Sequence, residues 1–85
     1  MALVCLHGPL RGLAGSEQEV AGATVAAVLR GLEDLHPSTT GWILDERGLI
    51  RRHINVFVNG ERGGEETSVA AGDRVEVLPA ITGGL

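Results

Sequence analysis

One segment of the chain has the pattern of a long amphipathic helix, and the rest of the fold must cover its apolar face. Between residues 25 and 35, apolar side chains recur at helical spacing. The positions on this face are Val25, Val28, Leu29, Leu32 and Leu35. Thr24 is the predicted N-cap, and His36-Pro37 is the predicted end because proline disfavours helical backbone at the preceding residue. Gly31 lies inside the helix at a cost of about 1 kcal/mol relative to Ala, and we expect simple tolerance there rather than close packing.

Two short runs before the helix are predicted to form a hairpin. Residues 2–7 are mostly apolar and stop at a Gly-Pro turn signal, so they are too short for a helix and are predicted to be a strand. Residues 17–21 are a second, weaker strand candidate. Their spacing favours a hairpin with residues 8–15 as its loop.

Two further strands are predicted after the helix. Residues 54–59 alternate in polarity, as a half-buried strand does. One face carries Ile54, Val56 and Val58, and the other carries Asn55, Phe57 and Asn59. Asn59-Gly60 is a turn signal that favours positive φ, and residues 61–66 are expected to form an exposed loop.

Residues 74–78 are the last predicted strand. Its inward positions are Val75 and Val77, and its outward positions are Arg74, Glu76 and Leu78.

The order strand, strand, helix, strand, short strand, strand predicts an α+β fold. A helix and a sheet are the minimum two layers that enclose one core. We therefore expect a mixed sheet of four to five strands, with one main helix packed on one face and the last strand next to the first. This is the β-grasp, or ubiquitin-like, arrangement. Residues 1–78 are predicted to form this domain, and residues 79–85 a flexible C-terminal tail. Trp42, in a predicted helical turn at residues 41–45, is expected to pack against the core.

The charge of the chain argues against nucleic acid and membranes as partners. Its 85 residues include 11 acidic and 7 basic side chains, and the net charge of −4 repels polyanions. No apolar run reaches the roughly 18 residues that a membrane-spanning helix needs. Cys5 is the single cysteine, so it closes no internal disulfide, and no signal-peptide pattern is found. These features predict a cytoplasmic location.

The side chains that carry chemistry are not arranged for catalysis. His7, His36 and His53 lack a metal-ligand spacing, so no metal site is expected. Cys5 is expected to be a buried structural residue rather than a sulfur-relay thiol. No nucleophile is paired with a base, so the chain itself is not expected to be an enzyme or to hold a bound cofactor. Every basic residue is arginine, which fits either a compositional bias of the genome or a need to avoid amines that could be acylated by mistake.

Three parts of the chain carry a resemblance to a known family. They are residues 51–60, residues 71–81 and the terminal Gly83-Gly84. Together they resemble the ThiS/MoaD sulfur-carrier proteins over nearly the whole chain. The resemblance implies that an E1-like adenylyltransferase uses ATP to adenylate the carboxylate of Gly84. It also implies that the product is converted to a thiocarboxylate, which donates sulfur to a biosynthetic enzyme. Gly83 lacks a Cβ, so the tail is narrow enough to thread an enzyme channel.

Leu85 departs from the common pattern of that family. Because Leu85 follows Gly84, the carboxyl group of Gly84 is held in an amide and cannot be adenylated. The resemblance therefore requires removal of Leu85, for which a metalloprotease of the JAMM type is the expected partner. The alternative is that Leu85 belongs to a degenerate tail.

Two surfaces are candidates for partner docking. Phe57 and Leu78 are predicted to face away from the helix, and on neighbouring strands they would form an apolar patch for the activating enzyme. Arg51 and Arg52 are either a basic docking patch or a solvated turn. Two other functions stay open. A ubiquitin-like modifier would join Gly84 to target lysines, and a small binding module would have an inert tail.

Overall fold

The computed structural model of the protein describes residues 1–80, in which five strands form one mixed sheet. The strands are β1 (Ala2–Leu6), β2 (Glu17–Val20), β3 (Ile54–Val58), β4 (Glu61–Gly63) and β5 (Arg74–Pro79). The helices are α1 (Arg11–Ala14) and α2 (Val25–Leu35), with short 3-10 helices at Gly8–Leu10 and Pro37–Thr39. The spatial order of the strands is β2-β1-β5-β3-β4. The predicted α+β arrangement is confirmed.

β5 is the central strand of the sheet and lies between β1 and β3. It pairs in parallel with β1, with Leu3 opposite Arg74 and Leu6 opposite Val77. On its other side it pairs antiparallel with β3, from Ile54 opposite Pro79 onward. The two remaining pairings, β1 with β2 and β3 with β4, are antiparallel. The predicted neighbourhood of the last and first strands is therefore confirmed.

The core lies between one face of the sheet and α2. The helix contributes four buried residues, Val25, Val28, Leu29 and Leu32. The strands contribute Val4 and Leu6 of β1, and also Ile54, Val56, Val58, Val75 and Val77, the positions predicted to face inward. Leu35 has the spacing of the same stripe but is 60% exposed, because it lies in the last turn of the helix, beyond the part that covers the core. None of the helices within residues 1–80 is long and apolar enough to cross a membrane.

Both predicted ends of α2 are confirmed. The side-chain oxygen of Thr24 accepts a hydrogen bond from the backbone N–H of Ala27 at 3.2 Å, which satisfies one of the free donors of the first turn. At the other end, His36 leaves the helical conformation before Pro37, while its N–H still donates to the carbonyl of Leu32.

The expectation for Trp42 is wrong. Its side chain is 55% exposed, whereas Ile43 and Leu44 are only 1% and 2% exposed. Residues 41–45 contain a turn, a bend and an isolated bridge from Leu44 to Ile50 rather than a helix, and the N–H of Trp42 donates to the carbonyl of Thr39 at 3.0 Å. The N–H of Arg51 donates to the carbonyl of Ile43 at 2.9 Å, so this backbone is held with its two aliphatic side chains inward. Ile43 and Leu44 therefore occupy the core where the indole of Trp42 was expected.

Two predicted loops contain regular structure. Residues 8–15 form the 3-10 helix and α1, and Leu10 in this segment is buried. The predicted loop at residues 61–66 begins with β4, because Asn59 and Gly60 turn the chain tightly at φ values of 51° and 88°. The reversal brings residues 61–63 back alongside β3.

Gly31 is closely packed, contrary to the expectation of simple tolerance. A Cβ at this position would lie 2.7 Å from Cγ1 of Val20 and 3.4 Å from the carbonyl oxygen of Ala21. Val20 is a buried residue at the end of β2, and its β-branched side chain is stiff. Glycine therefore lets α2 approach the edge of the sheet.

This contact predicts an unusual result for Gly31→Ala. The substitution ordinarily stabilises a helix, but here the clash with Val20 should lower the free energy of unfolding by about 1–3 kcal/mol. Urea denaturation monitored by circular dichroism measures the change. Gly12→Ala is the matched control, since a Cβ at Gly12 meets open space, and it should leave stability unchanged or slightly higher. A more stable Gly31→Ala protein would contradict the close packing.

Candidate functional site

The chain approaches its C-terminal tail from the middle of the sheet. β5 is held on one side by the N–H of His7, which donates to the carbonyl of Val77 at 3.1 Å. On the other side, the N–H of Ala80 donates to the carbonyl of His53 at 2.6 Å. The predicted tail residues Gly83, Gly84 and Leu85 lie outside the described residues. The backbone is thus paired on the β1 side as far as Val77 and on the β3 side as far as Ala80.

Phe57 and Leu78 lie on the face of the sheet opposite α2, as the alternation predicts. Phe57 is paired with Glu76, so Leu78, two residues further along β5, is its diagonal neighbour. Both side chains are half-buried. We call these two residues the open-face patch. Its role in docking stays a prediction, but the condition that the two strands be neighbours is met.

Charged and polar pairs surround the open-face patch. Nε of Arg74 donates to Oε2 of Glu76 at 3.2 Å, and the same carboxylate oxygen is 3.7 Å from Nε2 of His7. Nη2 of Arg62 donates to Oδ1 of Asn55 at 2.6 Å. An apolar centre with a polar rim is the usual anatomy of a protein interface.

Arg51 and Arg52 line one open groove of about 550 Å³ ahead of β3. Nη1 of Arg51 donates to the carbonyl of Gly41 at 2.9 Å, so this guanidinium helps to hold the loop. The groove also contains Asp45 and Glu65, and its charge is therefore mixed. Hydrogen bonds from the N–H groups of Leu49 and Arg47, and the guanidinium of Arg47, lower the pKa of Asp45, so this carboxylate stays charged.

Sequence reasoning missed an apolar cavity of about 240 Å³ beside the last described residues. Among residues 1–80, its lining residues are Pro9, Leu10, Leu13, Trp42, His53, Ile54 and Pro79. We call it the exit cavity. These residues come from four separate stretches of the chain, so no local pattern indicates the cavity. The one available signal was Trp42, a large aromatic residue in a turn.

Cys5 is buried, as expected of a structural cysteine. It is 3% exposed on the open face, opposite Glu17 on β2 and Glu76 on β5. Burial raises the pKa of its thiol, an effect that the positive charge of Arg74 partly opposes. Within residues 1–80, no group of three or more His, Cys, Asp and Glu side chains is placed to hold a metal ion.

Known proteins share this fold and this sequence pattern. A profile of the ThiS family matches residues 4–84. The sulfur carrier protein CysO of Mycobacterium tuberculosis is 35% identical over 83 residues, covering 88% of this chain and 89% of that protein. Small archaeal modifier protein 1 of Haloferax volcanii is 36% identical over 62 residues, covering 73% and 71%. In the crystal structure of the Amycolatopsis orientalis BexX/CysO complex, a chain 32% identical matches with a TM-score of 0.87, covering 99% of this chain and 100% of that chain.

The environment of Cys5 predicts slow reaction with thiol reagents. A maleimide attacks the thiolate, and both the burial and the raised pKa of Cys5 reduce the amount available in the folded protein. Mass spectrometry over time at mildly alkaline pH should show slow labelling that becomes fast in guanidinium chloride. The control is Ser16→Cys in a Cys5→Ser background, which places a thiol at an exposed position and should label quickly without denaturant. Equal rates for the two folded proteins would contradict the structural role.

Proposed function

The chain belongs to the ThiS family, and from that membership we propose that it is a sulfur-carrier protein activated at Gly84. The observation that carries the proposal is the family match, which extends through residue 84 and so includes the diglycine. Identity of 35% to the sulfur carrier protein CysO supports it further. In this function the chain is a cosubstrate, and the chemistry takes place in the active sites of partner enzymes.

Activation of Gly84 follows from the chemistry of a carboxylate. A carboxylate is a poor electrophile because its charge is delocalised and it has no good leaving group. Attack of the Gly84 carboxylate on the α-phosphorus of ATP forms an acyl-adenylate and releases pyrophosphate. A hydrosulfide ion supplied by a partner then attacks the carbonyl carbon, AMP leaves, and loss of the S–H proton gives the thiocarboxylate. ATP is thus a substrate of the activating enzyme, and this chain needs no bound cofactor.

The structure supports separate roles for the folded domain and the C-terminal tail. The described residues form a domain with its core on one side of the sheet, and the chain is held by backbone hydrogen bonds up to Ala80. From Ile81 to Gly84 the extended chain spans about 10 Å at ~3.3 Å per residue. That reach is enough for Gly84 to enter a buried active site while the domain stays outside. Because Gly83 has no Cβ, this part of the chain is narrow enough to enter a confined active-site channel.

Removal of Leu85 is the proposed activating step. In the encoded chain the Gly84 carbonyl is part of a peptide bond, which has no free carboxylate to attack ATP. Hydrolysis of this one bond gives the free carboxylate and leucine. A JAMM-type metalloprotease is the proposed partner for this step, an E1-like adenylyltransferase for the next, and a sulfur-accepting biosynthetic enzyme for the last.

The open-face patch is the proposed docking surface for the adenylyltransferase. Its two apolar side chains are half-buried and surrounded by charged pairs, so a partner can cover them without removing an unpaired charge from water. Arg51 and Arg52 add a second proposed contact at the start of β3, where Arg52 is exposed. Specificity for this partner would then come from the domain rather than from the tail.

A ubiquitin-like modifier is the second candidate function. Identity of 36% to small archaeal modifier protein 1 favours it. The same adenylated Gly84 would be attacked by a lysine amine of a target protein, and an isopeptide bond would form in place of the thiocarboxylate. Activation at Gly84 is common to both functions, and they differ in the nucleophile.

Intact-mass analysis of the chain purified from its native host distinguishes these functions. For the sulfur carrier we expect loss of Leu85 and exchange of one oxygen atom for sulfur. Alkylation with iodoacetamide at the thiocarboxylate, in a Cys5→Ser background, confirms where the sulfur is. Conjugates of higher mass that contain a lysine of another protein would favour the modifier. A full-length, unmodified chain as the sole species would contradict both.

Phe57→Ala should impair adenylation of the Leu85-deleted protein. Loss of one apolar anchor should raise the KM for the carrier about tenfold, which corresponds to roughly 1.4 kcal/mol, with less effect on kcat. The assay is ATP–pyrophosphate exchange with the host adenylyltransferase, after circular dichroism confirms that the variant is folded.

Leu35→Ala is the matched control for this experiment. It also truncates a large apolar side chain, but at an exposed position at the end of α2. Its KM should equal that of the parent protein. If Phe57→Ala and Leu35→Ala are adenylated equally well, the open-face patch is not the docking surface.

A further inference from the structure

The turn between β3 and β4 contains a chemically reactive pair of residues, Asn59-Gly60. It is the one Asn-Gly sequence of the chain. The side-chain amide of an asparagine can react with the backbone nitrogen of the next residue, and glycine hinders this approach least because it has no Cβ. Asn59 and Gly60 are both exposed, so water has access to them.

Three hydrogen bonds fasten Asn59 to the start of β5. Its N–H donates to the carbonyl of Arg74 at 2.8 Å. Its side-chain Oδ1 accepts from the N–H of Arg74 at 2.9 Å, and its Nδ2 donates to Oδ1 of Asp73 at 3.1 Å. The amide oxygen thus faces a donor and the amide nitrogen faces a carboxylate, which fixes the orientation of the amide. Both ends of the side chain are therefore occupied.

Asp73 is itself held in place by neighbouring backbone. Its Oδ2 accepts from the N–H of Ala70 at 2.8 Å, and its own N–H donates to the carbonyl of Ala70 at 3.0 Å. The hydrogen bonds from Ala70 and from the side chain of Asn59 lower the pKa of Asp73, so this carboxylate is charged at neutral pH. Because hydrogen bonds to a charged acceptor are stronger than neutral ones, Nδ2 of Asn59 has a strong and fixed partner.

We propose that Asn59 is a deamidation site, which Asp73 and Arg74 keep unreactive in the folded protein. The reaction begins when the backbone nitrogen of Gly60 loses its proton and attacks Cγ of Asn59. A bond forms between that nitrogen and Cγ, the bond from Cγ to Nδ2 breaks, and ammonia leaves after taking up a proton from water. Water then opens the resulting succinimide ring at either carbonyl group, which gives aspartate or isoaspartate. Water is the sole co-reactant.

The folded geometry opposes the first step. Ring closure brings Cγ of Asn59 onto the nitrogen of Gly60, so the side-chain amide has to leave its partners at the start of β5. That movement breaks the hydrogen bonds to Asp73 and Arg74. The backbone resists adjustment as well, because the φ values of 51° and 88° belong to the tight turn that leads from β3 into β4. The reaction therefore requires local opening of this turn.

Deamidation would change the edge of the sheet beside the open-face patch. An aspartate at position 59 has a carboxylate oxygen in place of Nδ2, so two negative charges would face each other across the contact with Asp73. An isoaspartate adds a methylene group to the backbone of the turn, which disturbs the register in which Phe57 is paired with Arg62. Either product would weaken the hairpin of β3 and β4.

Peptide mapping by mass spectrometry, after incubation at mildly alkaline pH, measures conversion at each amide. In the folded parent, conversion of Asn59 should be slower by about tenfold or more than in guanidinium chloride, because hydrogen bonds must break first. Asp73→Ala should raise the rate in the folded protein about tenfold, as expected for loss of one hydrogen bond to a charged group. Asn55, the other asparagine of the chain, precedes a valine and is the slow internal reference.

Asp45→Ala is the matched control variant. Asp45 is also a carboxylate that accepts hydrogen bonds from backbone N–H groups, those of Arg47 and Leu49, but in a different loop. Its removal should leave the conversion rate of Asn59 unchanged, which separates the local effect from a general loss of stability. Circular dichroism confirms that each variant is folded. If Asp73→Ala does not fold, Asp73→Asn replaces it, since it keeps an oxygen acceptor but loses the negative charge.

Three results would overturn the proposal. If Asn59 is not converted even in guanidinium chloride, it is not a deamidation site. Equal rates in the folded and the unfolded parent would show that the hydrogen bonds do not restrain it. Equal rates in the parent and the folded Asp73 variant, or an equal increase in Asp45→Ala, would remove Asp73 from the explanation. None of these results bears on whether Gly84 becomes a thiocarboxylate.

Discussion

The parallel pairing of β1 with β5 is the interaction on which the rest of the structure depends. The other neighbours in the sheet pair in an antiparallel manner, whereas this pairing joins the two ends of the described chain. It puts β5 at the centre of the sheet, with β1 on one side and β3 on the other. The inner faces of these three strands form the apolar surface of the sheet against which α2 packs. Because parallel strands run in the same direction, the beginning of β1 and the end of β5 lie at opposite ends of the sheet.

This central position of β5 separates the two candidate surfaces of the molecule. Successive residues of a strand point to opposite faces, so Leu78 belongs to the open-face patch while Pro79 lines the exit cavity. A partner that covers the open face would therefore leave the exit cavity, on the other face of the sheet, uncovered.

The parts of the fold that were predictable are those with a strong local signal. The alternation of Ile54, Val56 and Val58 and the cap at Thr24 are set by neighbouring residues, and both appear as predicted. Gly31 and Trp42 were misjudged because their environments come from distant residues. The packing at Gly31 depends on Val20, and the exposure of Trp42 depends on Ile43 and Leu44 taking the inward positions. The open-face patch was predictable from parity, whereas the exit cavity was not, because tertiary structure alone brings its walls together.

An activated acyl group can react with nucleophilic side chains of the domain that carries it. An acyl-adenylate reacts with amines and thiolates, and the sequence contains no lysine. The single thiol, Cys5, is 3% exposed, and burial raises its pKa. For a carrier, the lack of lysine and the burial of Cys5 limit attack on the acyl group by side chains of the same chain, and for a modifier the chain offers no lysine for attachment to itself.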